Sequence, residues 1–226
     1  TKYMTPVILL SDSFLANGAE PFRIPDPESL PDLRSCKEIP LEDFQPYKRD
    51  PSTLARPWVP PGTPGFEHRI GGLEKEDPTG NVTYDGPNHA KMTRLRHEKI
   101  ASIAEDIPQL DVMGDDHGPL LVLSWGSTYG AAAGAVSACR RDGLPVSFAH
   151  LRYLNPFPRN LEEVLSRFDR VLIPENNAGQ LRLLIEALSD RPVEGLSVVE
   201  GRPFLIREIR SKIEELISSE HAVRSR

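Results

Sequence analysis

The feature that most constrains the fold is an alternation of strand-length apolar runs with amphipathic helical stretches, which begins at Gly118. The first run is almost entirely apolar, as strands buried on both faces of a sheet are. Short links join successive elements, and such an alternation forms a mostly parallel sheet covered on both faces. We therefore predict a three-layer α/β domain over residues 118–226. The predicted strands are 119–125, 146–151, 170–174 and 196–199. The predicted helices are 129–141, 161–168, 181–188 and 206–217. Asn160 and Glu163 are expected to form a capping box at the start of the second helix.

A separate apolar run lies at residues 5–10 (TPVILL). We expect a buried strand there, followed by a short helical turn that ends at Gly18. Because nothing nearby in the sequence pairs with such a strand, we interpret residues 1–23 as the tail of a domain whose body precedes them. The alternative is a short strand that docks on the α/β domain.

Residues 21–65 hold 11 of the chain's 22 prolines. Proline fixes φ and removes a backbone donor, so this stretch has no room for a long helix. A free linker seldom carries several aromatic residues. We predict an extended, ordered arm whose aromatic side chains anchor it on another surface; these side chains are Phe44, Tyr47, Trp58 and Phe66.

Residues 71–88 are rich in Gly, Asp, Asn and Pro, and they predict a loop with tight turns at 79–81 and 85–87. An apolar stripe at helical spacing follows, which predicts a helix that Asn88 caps and that Pro108 ends. Arm, loop and helix together make a predicted connecting region of residues 27–117.

Composition excludes several classes of function. The net charge is -6, so the chain lacks the basic excess that general nucleic-acid binding needs. No apolar run approaches the length of a membrane-spanning helix. The only two cysteines, Cys36 and Cys139, lie far apart, so they form neither a zinc motif nor a disulfide framework, and a reducing cytoplasmic setting is expected.

The carboxyl ends of parallel strands are where ligands gather in such sheets. At the first of these ends, Gly126, Ser127 and Thr128 precede a helix, and free N–H groups at a helix N-terminus suit an anion. The alternative is that Ser127 only caps the helix. The Gly-xxx-Gly spacing that runs through Gly130 predicts close packing of this helix, so that Gly130→Leu would destabilise the domain by about 1–3 kcal/mol.

Other strand ends carry further polar candidates. Glu175 could act as an acid or base, and the alternatives are that it caps the next helix or meets a partner chain. Arg152 could bind a carboxylate or phosphate, or form an interface salt bridge. The interface candidates are Arg152, Asn155, Glu175 and Asn177. No catalytic set of side chains and no metal cluster emerges from residue spacing.

Six motifs in order resemble the C-terminal part of the α subunit of 2-oxoacid:ferredoxin oxidoreductases, most closely the 2-oxoglutarate type. They cover nearly the whole chain. The motifs are TPVILLSDSFLANGAEPFRIPD, GGLEKEDPTGNVTYDGPNHAKMTRLRHEKI, LLVLSWGSTYGAAAGAV, HLRYLNPFPRN, VLIPENNAGQL and EGRPF.

The resemblance implies an enzyme that oxidatively decarboxylates a 2-oxoacid on thiamine diphosphate, passes electrons through an iron–sulfur cluster to ferredoxin, and transfers the acyl group to coenzyme A. Residues 1–26 would end the domain that binds the pyrimidine half of thiamine diphosphate, and residues 118–226 would be similar to the transketolase C-terminal domain. It further implies a β subunit, a second αβ unit and cofactors held outside this chain, so no catalytic residue is assigned here.

An alternative function remains open on the residues alone. The α/β domain could be a free-standing module that binds an anionic ligand such as a phosphate or coenzyme A at Gly126, Ser127 and Thr128.

Overall fold

The computed structural model describes residues 1–33 and 40–224, so Cys36 lies outside the described residues. The chain divides into two compact units. We call Thr1–Leu9 with Ala19–Asp106 the arm unit, and Leu10–Gly18 with Ile107–Arg226 the sheet unit.

The sheet unit is built on five strands in the order β1-β3-β2-β4-β5. β2 pairs in parallel with β3 and β4, β4 pairs in parallel with β5, and only the short β1 runs antiparallel, to β3. The predicted mostly parallel α/β sheet is therefore confirmed. The strands are β1 (Val112–Met113), β2 (Gly118–Trp125), β3 (Val146–Leu151), β4 (Phe168–Glu175) and β5 (Val193–Ser197).

Helices cover both faces of this sheet because successive side chains of each strand point to opposite sides. Leu120, Val122 and Leu172 face a core shared with helices α3 and α6. Leu121 and Leu123 face the opposite core, which contains helices α4 and α5. The α-helices of the sheet unit are α1 (Ser13–Ala16), α3 (Tyr129–Arg141), α4 (Leu161–Ser166), α5 (Gln180–Glu186) and α6 (Ile206–Arg224), with a 3-10 turn at Gly126–Thr128.

Four local features of this unit differ from the expectation. Helix α4 ends at Ser166, and Phe168, which was expected on that helix, begins β4. The antiparallel β1 has no counterpart in the prediction, because two residues are too short to give a pattern. β5 begins at Val193, three residues earlier than expected; four of its residues are only half-buried and Ser197 is exposed. The capping box does not form: the Asn160 side chain instead bonds the backbone N and O of Leu110, and Glu163 pairs with Arg167 at 2.5 Å.

The expected strand at residues 5–10 does not form in this structure. Val7, Ile8 and Leu9 are 89%, 81% and 89% exposed, and no described strand pairs with them. A strand needs neighbours for its backbone N–H and C=O groups, and the described residues provide none here. The helical turn that follows is confirmed as α1, with Asp12 as its N-cap.

The proline-rich part of the arm unit contains only short 3-10 turns, at Pro27–Ser29 and Leu41–Asp43, as its proline content predicts. Its aromatic side chains contact other residues of the same unit. Phe44 packs against Phe66 with ring centroids 4.9 Å apart, and Trp58 donates its indole N–H to the Thr1 carbonyl at 2.9 Å.

Helix α2 (Gly86–Ser102) completes the arm unit, followed by a 3-10 turn at Ile103–Glu105. The predicted cap is wrong: Asp85, not Asn88, caps the helix, and its carboxylate accepts the Asn88 N–H at 2.8 Å. Pro87 fits inside the first turn because the N–H that it lacks would have no helical partner there. The tight turn predicted at residues 85–87 is therefore the start of this helix. The tight turn predicted at residues 79–81 does form, and Gly80 has φ +78° there.

Across the described residues, no helix combines the length and the apolar character that crossing a membrane requires.

Helix α3 approaches α6 closely at Gly134 and not at Gly130. A Cβ at Gly134 would lie 3.0 Å from Ile206 Cδ1, whereas a Cβ at Gly130 would meet nothing within 4 Å. The expectation of overpacking at Gly130 is therefore wrong, because this residue faces open space.

We expect Gly134→Leu to lower the free energy of unfolding by about 1–3 kcal/mol, since Ile206 must move. Gly130→Leu is the matched control and should be neutral or stabilising by about 0.5–1 kcal/mol, because leucine favours helix more than glycine does. Urea unfolding of both variants measures the difference. Equal losses at the two positions would contradict this account of the packing.

The start of α6 depends on Glu208. Its carboxylate accepts two hydrogen bonds from Arg202, at 2.7 and 3.0 Å, and one from the Leu205 N–H at 2.9 Å. These bonds, from Arg202 first, lower the pKa of Glu208 from 4.5 to about 2.

A lowered carboxyl pKa stabilises the fold above the unfolded value and ceases to do so as the pH falls through the folded value. We expect the Tm of the wild type to fall more steeply than that of Glu208→Gln between pH 4.5 and 2. Glu215→Gln, which removes only a pair with Lys212, should keep the wild-type profile. Thermal melts across this pH range test the prediction, and parallel profiles for wild type and Glu208→Gln would refute it.

Candidate functional site

A cavity of about 300 Å³ opens at the carboxyl ends of β2 and β4 in the sheet unit. Two sides of it come from the expected strand-end tracts, and a third comes from the segment around α1. One wall is apolar and another presents amide and hydroxyl groups. The lining residues are Leu10, Ser11, Asp12, Leu15, Trp125, Gly126, Ser127, Thr128, Asn176 and Asn177.

The three residues predicted to bind an anion form the 3-10 turn that connects β2 to α3. Gly126 has φ +58°, a left-handed conformation that glycine adopts without strain. Thr128 is buried, and its hydroxyl donates to the Trp125 carbonyl at 2.7 Å. Of the three, Gly126 and the half-buried Ser127 are the residues with surface to offer a ligand.

Glu175 lies beneath this cavity with 1% of its surface exposed. Its carboxylate accepts the backbone N–H groups of Leu181 and Arg182, both at 2.9 Å, and the indole N–H of Trp125 at 3.3 Å. The capping alternative is therefore the one observed. Burial excludes Glu175 from the surface interface candidates, because three donors of its own chain surround the carboxylate.

Asn176 and Asn177 hold the loop that follows β4. Asn177 Oδ1 accepts the Gly179 N–H at 2.7 Å, and Asn176 Nδ2 donates to the carbonyls of Val198 and Arg202. These bonds join the ends of β4 and β5 to the start of α5. The amide walls of the cavity are thus fixed in place by main-chain contacts.

The charges around the cavity do not favour an anion. Among the described residues, its lining contains the Asp12 carboxylate and no lysine, arginine or histidine. An adjoining cavity of about 370 Å³ is lined by Asp12, Ser127, Asn176 and Arg202 among others. Bonds from Glu208 and Glu200 raise the pKa of Arg202, so this cation is already neutralised within the chain.

Arg152 lies in a different groove of the sheet unit, of about 380 Å³, beside His150 and two exposed tyrosines, Tyr129 and Tyr153. The His150 ring is half-buried, 4.9 Å from the Tyr129 ring, and its Nδ1 lies 2.8 Å from Ser124 Oγ. Burial first, and the Arg152 charge second, lower the pKa of His150. Both effects favour the neutral form of the imidazole, whose observed contacts here are the Tyr129 ring and the Ser124 hydroxyl.

Asn155 is exposed and precedes a cis proline, Pro156. It lines neither the cavity at the ends of β2 and β4 nor the groove that contains Arg152.

Cys139 is buried in α3, and burial raises the pKa of its thiol. Among residues 1–33 and 40–224 no three His, Cys, Asp or Glu side chains come together to hold a metal ion.

Comparison with known proteins supports the resemblance noted in the sequence. No protein-family model matches the chain. The chain is 49% identical, over 211 residues and 92% of its length, to the 2-oxoglutarate oxidoreductase subunit KorA of Mycobacterium tuberculosis.

The chain is a homologue of part of the 2-oxoacid:ferredoxin oxidoreductase α subunits. It is 30% identical, over 94% of its length, to the α subunit of 2-oxoacid:ferredoxin oxidoreductase 1 of Aeropyrum pernix. It covers 32% and 36% of these two proteins, so it spans about a third of their length.

A solved structure is similar to the chain as well. The 2-oxoglutarate:ferredoxin oxidoreductase of Magnetococcus marinus, with 2-oxoglutarate, coenzyme A and succinyl-CoA bound, matches 85% of this chain with a TM-score of 0.77 and 26% identity. The match covers 34% of that longer chain.

Several residues that line the cavity at the ends of β2 and β4 were not identified from the sequence. Trp125 could have been identified, because it is the last residue of a strand whose carboxyl end was predicted to bind a ligand. Leu10, Asp12 and Leu15 could not have been, because they are more than 100 residues distant in sequence and only the fold brings them to this edge.

We expect Glu175→Ala to lower the free energy of unfolding by about 1–3 kcal/mol or more, because it leaves one buried and two part-buried donors without an acceptor. Glu186→Ala is the matched control, since Glu186 is partly exposed and makes only a 3.6 Å pair with Arg182. Trp125 fluorescence in a Trp58→Phe background should shift to the red in Glu175→Ala as the indole loosens. Equal stability of the two alanine variants would show that the buried carboxylate is not what holds this edge together.

Proposed function

We propose that the chain is the C-terminal part of the α subunit of a 2-oxoacid:ferredoxin oxidoreductase that acts on 2-oxoglutarate. The observation that carries the proposal is the 49% identity to a subunit named as a 2-oxoglutarate oxidoreductase, over 92% of this chain. The likeness to a structure solved with 2-oxoglutarate and coenzyme A bound supports the same substrates.

The reaction is an oxidative decarboxylation. The bond between the carboxylate carbon and the keto carbon of the 2-oxoacid breaks and releases CO₂, a thioester forms to coenzyme A, and two electrons pass to ferredoxin with release of one proton. Thiamine diphosphate supplies the carbanion chemistry and an iron–sulfur cluster carries the electrons when both are bound elsewhere in the enzyme.

The described residues do not suit an iron–sulfur cluster. Such a cluster needs several cysteine thiolates, and the one described cysteine, Cys139, is buried in a helix. No step is assigned to residues of this chain through that group.

The contribution proposed for this chain is to hold domains and subunits together. Residues 1–26 would complete a pyrimidine-binding domain, residues 27–117 would form an arm over it, and residues 118–226 would be the assembly domain. The large exposure of Val7–Leu9 and the absence of any ion pair for Arg152 among the described residues support this role. The proposed interface residues are Arg152, Asn155 and Asn177. The proposed partners are a β subunit, a second αβ unit and ferredoxin. The proposed compartment is the cytoplasm.

The alternative of a free-standing anion-binding module has less support. The turn at Gly126–Thr128 faces a cavity whose lining, over the part of the chain that the structure describes, has an acidic and no basic residue, and the Thr128 hydroxyl already has an acceptor.

The test is a turnover assay on the complete α subunit purified with its accompanying subunits. We expect ferredoxin reduction that requires both coenzyme A and a 2-oxoacid, with a higher kcat/KM for 2-oxoglutarate than for pyruvate or 2-oxoisovalerate. Omission of coenzyme A is the control.

No turnover with any of the three acids would refute the proposed activity. A thermal shift with phosphate or coenzyme A that Ser127→Ala abolishes, in a preparation without turnover, would favour the binding module instead.

A further inference from the structure

Two arginines of the arm unit share one aromatic ring. The guanidinium carbons of Arg49 and Arg56 lie 5.6 and 4.7 Å from the centroid of Tyr47. Both side chains are half-buried. The electron-rich face of the ring attracts each cation, and it therefore holds two like charges close together.

Lys99 of α2 adds a third cation. Its Nζ donates to the Met4 carbonyl at 3.1 Å, and burial first, then the charges of Arg49 and Arg56, lower its pKa. Burial also lowers the pKa of Arg49, and the charge of Arg56 adds to that effect. Three cations thus occupy one half-buried neighbourhood, which we call the cationic cluster.

No carboxylate within the described residues forms an ion pair with any member of the cluster. Arg49 donates to the Leu54 carbonyl at 3.2 Å and contacts Met92 Sδ at 3.8 Å, while its buried Nε has no partner among the residues that the structure describes. Within the same described ranges, the contact of Arg56 is the one with the Tyr47 ring.

The nearby acidic groups are already engaged. Asp77, which acts on Arg49 at longer range, pairs with Lys91 at 2.5 Å. Glu74 contacts His89 at 2.6 Å and Arg96 at 3.6 Å. The surplus positive charge is therefore not neutralised by these neighbours, although the whole chain has a net charge of -6.

Like charges held together and partly desolvated are unfavourable unless an anion meets them. Guanidinium groups match carboxylates in geometry and bind them in a bidentate manner. An apolar surface continues from the same place, because Val7, Ile8 and Leu9 follow Met4 within a few residues and are more than 80% exposed. Apolar side chains beside charged ones are the composition of a protein interface.

We propose that Arg49, Arg56 and Lys99 form a docking surface for an acidic protein surface, one that presents two or more Asp or Glu carboxylates, on a subunit that accompanies this chain. The proposal rests on the proposed function only in requiring an accompanying subunit. It assigns to the arm unit a charge-directed role in assembly.

The test measures association of the complete α subunit with its accompanying subunit by biolayer interferometry across a range of salt concentrations. Arg56→Glu and Lys99→Glu should each raise Kd by about tenfold or more and weaken its salt dependence, because they place like charges opposite each other. Arg94→Glu is the matched control: Arg94 is an exposed cation on the same helix, and its partner Glu98 lies 3.6 Å away. It should leave Kd within about twofold of the wild type.

Thermal melts of the separate α subunits confirm that each variant folds before Kd is compared. An unchanged Kd and salt dependence in both reversal variants would overturn the proposal, as would the absence of any co-purifying subunit. A phosphate-induced rise in Tm that Arg56→Glu removes, with Kd unchanged, would identify a site for small anions instead. The binding measurement needs no turnover, so the two proposals can fail separately. A preparation that is inactive but still binds through the cationic cluster would refute the proposed activity and support the docking surface.

Discussion

The parallel pairing of β2 with its two neighbours is the constraint on which the rest of the sheet unit depends. Leu121, Val122 and Leu123 of this strand have no exposed surface, so their backbone groups must pair with β3 and β4. Parallel neighbours need crossover connections, and these place α3 on one face and α4 and α5 on the other, while α6, which follows β5, packs on the same face as α3. The same pairing brings the carboxyl ends of β2 and β4 together, which is where the cavity opens.

A single buried carboxylate then shapes that edge. Glu175 ends β4 and collects the first N–H groups of α5 together with the indole of Trp125 from β2. A buried charge is tolerable because three donors surround it. One side chain therefore joins the strand, the helix and the cavity wall, and its observed contacts are those of a hydrogen-bond acceptor for the start of α5 and for the Trp125 indole.

The arm unit follows a different principle. It has little regular structure, and its order comes from prolines, aromatic contacts and caps such as Asp85. Its surface keeps two features that the described residues do not satisfy: the exposed apolar run at Val7–Leu9 and the cationic cluster around Tyr47. Both are proposed here to contact other domains or subunits.

By itself the sequence determined the α/β class, the mostly parallel arrangement of the long strands and the bounds of α3, because buried strands and amphipathic helices leave a local pattern over many residues. Its motifs also carried the resemblance to the 2-oxoacid:ferredoxin oxidoreductase α subunits. Only the tertiary structure decided what Glu175 binds, that Gly134 and not Gly130 meets α6, and that Leu10 and Asp12 line a cavity with Trp125. It also decided that residues 5–10 stay unpaired here. Each of these depends on which distant residue comes within a few ångströms, and periodicity within a segment carries no information about that distance.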